Sequence, residues 1–154
     1  MADPESGITL TRLRRWLRLL LVAGLVGTGA ELLLMGHTEG VDQLIPLLLI
    51  ALALLTMVWI GLSGSRASLR AFQAIMVLAV ISGGLGTLLH YRGNVEFEVE
   101  SVPGLKGFDL FKEAMHGATP ALAPGTMILI GALGLLFTLG HPQLRTTPHH
   151  TEEP

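Results

Sequence analysis

The 154-residue chain contains no cysteine, which excludes disulfides, thiolate metal sites and cysteine nucleophiles together. Charge is scarce as well. Only 14% of the residues are charged while half are hydrophobic, too little polar surface for a soluble domain of this size. The formal net charge of −2 argues neither for nor against nucleic acid by itself. The N-terminal arginines are better explained by membrane topology, so no nucleic-acid partner is expected. Motifs that carry a mechanism are missing too: there is no Gly-x-Ser-x-Gly elbow, no paired-aspartate phosphotransfer motif and no Asn-x-Ser/Thr sequon. Gly83-Gly84-x-Gly86 lies inside an apolar stretch with no strand before it, so it is not a phosphate-binding loop. No reaction is named by these residues, and the expected function is non-enzymatic.

What the chain does have is four apolar stretches, 17–35, 44–62, 71–89 and 121–139, almost free of ionisable groups. A helix needs about 20 apolar residues to cross a hydrocarbon core of roughly 30 Å, and each stretch reaches that once its flanks are counted. The expected fold is an all-α, four-transmembrane-helix bundle forming a single membrane domain. Its spans fall at about 15–36, 43–62, 69–90 and 120–139, with an outer connection at 91–119 and a tail at 140–154. Thr28-Gly29-Ala30 after an arginine-led apolar run is also the pattern of a signal-peptide cleavage site. Apolar residues resume at Leu32, however, so an uncleaved first span is expected.

Orientation follows from arginine and lysine. Arg12, Arg14, Arg15 and Arg18, then Arg66 and Arg70, then Arg145 share one side of the bundle, against Arg92, Lys106 and Lys112 on the other. The positive-inside rule places both termini in the cytoplasm. The Ala/Leu/Gly/Arg-rich, lysine-poor composition points to a bacterial plasma membrane. Trp16 and Trp59 mark the cytoplasmic ends of the first two spans, Asp42 is the expected N-cap of the second, and Pro46 is expected in its first turn.

The third stretch carries Ala79, Ser82, Gly83 and Gly86, a double small-x-x-x-small spacing that lets helix backbones approach. This face is the candidate centre of the bundle and a candidate docking face for a partner. In the connection that follows, Val95-Glu96-Phe97-Glu98-Val99-Glu100 alternates apolar and acidic residues with the period of a short β segment. Beyond it, Phe108, Phe111 and Met115 fall on one face of a short amphipathic helix. Together these predict an acidic outer cap, its phenylalanines lying in the interface. Thr119-Pro120 is the expected start of the last helix.

Few side chains are equipped for chemistry. Glu31 lies inside the first span, roughly 5 Å below its outer end at 1.5 Å per residue. A carboxylate there must be paired, protonated or wet, and an ion pair with Arg92 is the expected arrangement. His37, His90 and His116 sit at outer span ends near Glu31 and Glu98. Imidazole with carboxylate suits a divalent metal, and two histidines suit haem. Tight ligand spacing is lacking, so no cofactor is predicted on the leading reading. The His149-His150 pair belongs to a polar tail. Three functions remain open: an accessory or structural subunit docking on membrane-protein partners or on copies of itself within the lipid bilayer; an outer-face metal or haem protein; and a small oligomeric transporter or channel using Glu31.

Overall fold

The computed structural model describes residues 4–144, with side chains from residue 7. Arg145 and the 148–153 tail lie outside the described residues. Five α-helices follow in order: α1 (Pro4–Leu34), α2 (Val41–Ser63), α3 (Arg66–Ser101), α4 (Gly107–His116) and α5 (Gly125–Thr138). A one-turn 3-10 helix, Pro142–Leu144, ends the described chain. Three of them, α1, α2 and α3, are long and apolar enough to cross a membrane, which points to a membrane location. No strand occurs among the described residues.

Four boundaries differ from expectation, each for a local reason. First, α1 starts at Pro4, so the arginine-rich lead is itself helical, with proline at the first position, where its missing N–H costs nothing. Second, the N-cap of α2 is Gly40 and not Asp42, whose carboxylate instead lies in the first turn, favourable to the helix dipole. Pro46 then falls in the second turn, where it removes the N–H that would bond the Asp42 carbonyl. Third, the predicted β segment at 95–100 is helical, because α3 continues through Ser101. A strand there would need a pairing partner, whereas the helix closes its own hydrogen bonds. Fourth, the last helix starts at Gly125. Two prolines bracket residues 120–124, and the chain enters α5 through i→i+3 turns such as Ala123 N–H to Pro120 O at 3.1 Å and Met127 N–H to Pro124 O at 3.0 Å.

Around the bundle, α1 packs on α2 and α5, α2 on α3, and α3 on α5, while α4 packs on α3. The turn between α2 and α3 needs only two residues. Gly64 supplies a left-handed φ of 53°, and the Ser65 side chain caps α3 by accepting the Ser68 N–H at 3.2 Å. The closest approach is between α3 and α5. A Cβ on Gly131 would lie 2.6 Å from the Met76 carbonyl oxygen and 3.1 Å from the Val80 nitrogen, and one on Gly83 would lie 2.8 Å from the Pro124 oxygen. Phe72 and Phe137 meet edge-on at 6.1 Å below this contact.

The arginine-rich end is closed by polar contacts. Arg14 donates from Nη2 to the Gly140 carbonyl at 2.9 Å, a cation on the carbonyl end of α5, and Gln73 Nε2 donates to Thr138 Oγ1 at 3.0 Å. His141 sits beside them with Nδ1 buried and, among the described residues, without a hydrogen-bond partner. Burial first, and the Arg14 charge second, hold its pKa below the ordinary 6.5. Because the folded protein resists this protonation, the unfolded chain binds more protons below about pH 6.5. Stability from this group is complete above that pH and is lost as the pH falls towards the folded-state pKa. The melting temperature is therefore expected to fall between pH 7.5 and 5.5, and to fall less in His141→Asn; equal pH slopes would remove the assignment.

Candidate functional site

The bundle is solid at its arginine-rich end and hollow at the other. Leu21 and Leu25 of α1, Ala53 and Met57 of α2, Leu69, Phe72 and Met76 of α3 and Ile130 of α5 form a continuous apolar core. Above Ala79, the helices surround a cavity of about 770 Å³, within the size range of small-molecule sites, while α3 stays close to Pro124 and Ile128 at Gly83 and Gly86. Its walls come from one stripe of α1 (Thr28, Glu31, Leu32) and Met35 just beyond it, the first turns of α2 (Asp42, Gln43, Pro46), and the α3 residues Ser82, Gly86, Leu89, His90, Gly93 and Phe97. Thr119, Pro124 and Met127 close the remaining side. The α3 stripe from 82 to 97 makes the wall about 22 Å long at 1.5 Å per residue. Most of the wall is apolar, and the core beneath seals it. It is a vestibule with one closed end.

Glu31, His37 and His90 line this vestibule, as do Ser82, Gly83 and Gly86, whereas Arg92, Glu98 and His116 do not. Ala79 is buried in the core below. Arg92 is exposed off the α3 stripe, and among the described residues Glu31 makes no ion pair with it or with any other cation. The expected Glu31–Arg92 pair is therefore not formed. The two residues belong to different faces, since α3 turns Arg92 away from the cavity that Glu31 lines. His90 is tied through Nδ1 to the Pro120 carbonyl at 3.2 Å, and His116 through Nδ1 to the Lys112 carbonyl at 2.9 Å. Among the described residues, no three His, Asp or Glu side chains come together as a metal-ligand set. His37, His90, His116, Glu31 and Glu98 are thus spread over the vestibule and two outer surfaces. Nor is the small-residue face of α3 free for an external partner, because Gly83 and Gly86 lie against Pro124 and Ile128.

The residue that organises this end is Asn94, which the sequence reading passed over. It is 2% exposed. Its Nδ2 donates to the Ala114 carbonyl at 2.8 Å and the Thr119 carbonyl at 2.7 Å, while its Oδ1 accepts the Thr119 N–H at 3.1 Å and the Thr119 hydroxyl at 2.7 Å. Two donors and two acceptors saturate a primary amide. One side chain thereby fastens the end of α4 and the approach to α5 onto α3. Gly117 is needed beside it, because a Cβ there would lie 2.7 Å from the Asn94 side chain. The available signal was Gly93-Asn94, which reads locally as a turn. Next to this clamp, Phe111 of α4 lies 6.0 Å from Tyr91 and stacks on Phe108 at 6.2 Å, both phenylalanines remaining exposed.

The chain matches no family model, and no curated protein or solved structure is significantly similar to it.

Proposed function

We propose that this chain is a four-span membrane protein with both ends in the cytoplasm that works by binding, as a non-enzymatic accessory subunit of a larger membrane assembly. The observation that carries the reading is the vestibule closed at one end. A conduit within one chain needs a path through the bundle, and among the described residues the apolar core from Leu25 to Phe137 fills that course; a cavity with a packed floor is suited to holding something. In this reading α5 and the turns from Pro120 form the fourth span, too short as a regular helix alone. The bilayer lies between two belts. Trp16 and Trp59 are exposed at the arginine-rich end, and Tyr91, Phe108 and Phe111 mark the other. Along α3, Leu69 to Tyr91 covers about 33 Å, close to the thickness of a hydrocarbon core.

The last turns of α3, with Glu96, Glu98 and Glu100, then stand outside the membrane, and α4 is strapped to them by Asn94. A saturated buried amide at this point supports a rigid outer platform, which suits docking better than a loose loop does. Among the described residues no ligand set is gathered for the metal or haem alternative, and the transport alternative would need Glu31 to face a cavity shared between copies of the chain. Gentle detergent extraction from the native membrane, followed by native electrophoresis and mass spectrometry, tests the accessory reading. Co-migration with other subunits at fixed stoichiometry is the expected result. Migration alone, or only with copies of itself, would overturn it.

A further inference from the structure

The geometry points to a specific ligand class for the vestibule: a small amphipathic organic cation, an amine or quaternary ammonium with an apolar body, held with the Glu31 carboxylate as its counter-ion. This inference rests on reading the vestibule as a place of binding.

Three observations converge on it. The charge of the cavity has one sign. Glu31 and Asp42 both line it together with His37 and His90, and among the described residues no lysine or arginine does. A carboxylate beside apolar walls at membrane depth is costly unless something pairs with it. Arg92, the cation nearest to it in the expected arrangement, faces elsewhere, and among the described residues no side chain pairs with Glu31, whose exposed carboxylate is open to a counter-charge. Second, the mouth offers acceptors and an aromatic face beside the carboxylates. Pro46 deprives the Asp42 carbonyl of its i+4 donor. His90 donates from Nδ1 to the Pro120 carbonyl, which fixes the orientation of its ring at the mouth. Phe97 adds an aromatic ring at the rim, a surface that attracts ammonium groups. Third, the remaining wall is apolar and the volume suits a molecule of modest size. An anion would meet two carboxylates and no fixed cation, and a fully apolar guest would leave Glu31 unpaired.

The test uses the full-length protein in lipid nanodiscs at pH 7.5, titrated calorimetrically with benzyltrimethylammonium and with neopentylbenzene, its uncharged carbon isostere; empty nanodiscs supply the background. Saturable binding of the cation, at least about tenfold weaker in Glu31→Gln, is expected, as is no comparable binding of the isostere. Glu31→Gln should melt at the wild-type temperature, since among the described residues the Glu31 side chain has no partner to lose, so weakened binding would not reflect misfolding. Asp42→Asn gives a second, independent reduction. If both probes bind equally and Glu31→Gln is unaffected, the cation assignment is overturned while the vestibule stands as a binding site. If neither binds, or if a phospholipid chain co-purifies in the vestibule and is not displaced, the ligand assignment fails along with the idea of an open site. The accessory-subunit reading is judged separately, by its own electrophoresis.

Discussion

Gly131→Ala is expected to destabilise the bundle strongly, and Gly84→Ala to leave it unchanged or slightly more stable. The added methyl at 131 would meet backbone, the Met76 carbonyl oxygen at 2.6 Å and the Val80 nitrogen at 3.1 Å, as well as the Val80 side chain at 2.6 Å. Backbone inside a hydrogen-bonded helix cannot swing aside as a side-chain tip can, so α3 and α5 must separate. Overpacking of this kind costs about 1–3 kcal/mol and sometimes more. Separation also loosens the neighbouring contacts of Gly134 with Met76 and Phe72. Gly83→Ala belongs to the same class, with Pro124 O at 2.8 Å and the Ile128 nitrogen at 2.9 Å. One residue along, Gly84 has nothing within 4 Å of its would-be Cβ, so only the backbone preference for alanine remains, up to about 1 kcal/mol in favour of the helix. Thermal unfolding of the three variants in one detergent decides the matter. A Gly131→Ala protein as stable as wild type would mean that α3 and α5 do not meet as described.

Asn94→Leu should detach the outer end of the protein while leaving the lower bundle folded. The substitution keeps about the same volume but removes four hydrogen bonds in a site that is 2% exposed. The Ala114 and Thr119 carbonyls and the Thr119 N–H are then left without their partner. Unsatisfied buried groups cost about 1–3 kcal/mol each, and partial rescue by water brings the expected loss to roughly 3 kcal/mol for the set. Limited proteolysis should show it first, as new cleavage between 102 and 124 at protease levels that spare the wild type. Asn94→Asp separates the two halves of the clamp, because a carboxylate can still accept from Thr119 but cannot donate to either carbonyl. It should resemble the leucine variant. Wild-type resistance in both variants would show that α4 is held by something other than this amide.

The membrane-type helices were legible in the residues because a helix in an apolar solvent satisfies its own backbone, so the run of uncharged residues is itself the structural instruction. A helix forms at 107–116, where the spacing of Phe108, Phe111 and Met115 placed one, for a similarly local reason. The segment at 95–100 was misread because strict alternation is only half of a strand; the other half is a neighbour to pair with, and sequence periodicity does not report neighbours. Asn94 was missed on the same ground. Its four partners lie 20 and 25 residues away along the chain, and nothing near Gly93-Asn94 reveals them.

The candidate site divides along the same line. Composition and spacing were enough to place Glu31, His37 and His90 near one end of the bundle, since each sits at the end of an apolar run and a run has only two ends. Which of them share a cavity, and which face away, depends on the rotation of each helix about its axis. That rotation is fixed by contacts between helices, chiefly by Gly83, Gly131 and Gly134 bringing α3 and α5 together, and by Asn94 above them. Thus the sequence by itself determined helical structure, membrane character and a charge asymmetry between the two ends, all of which follow from local chemistry and solvent. Only the tertiary structure decided that Arg92 turns away from Glu31, that the small residues are used inside the bundle, and that its acidic end is hollow, because each depends on where distant side chains meet.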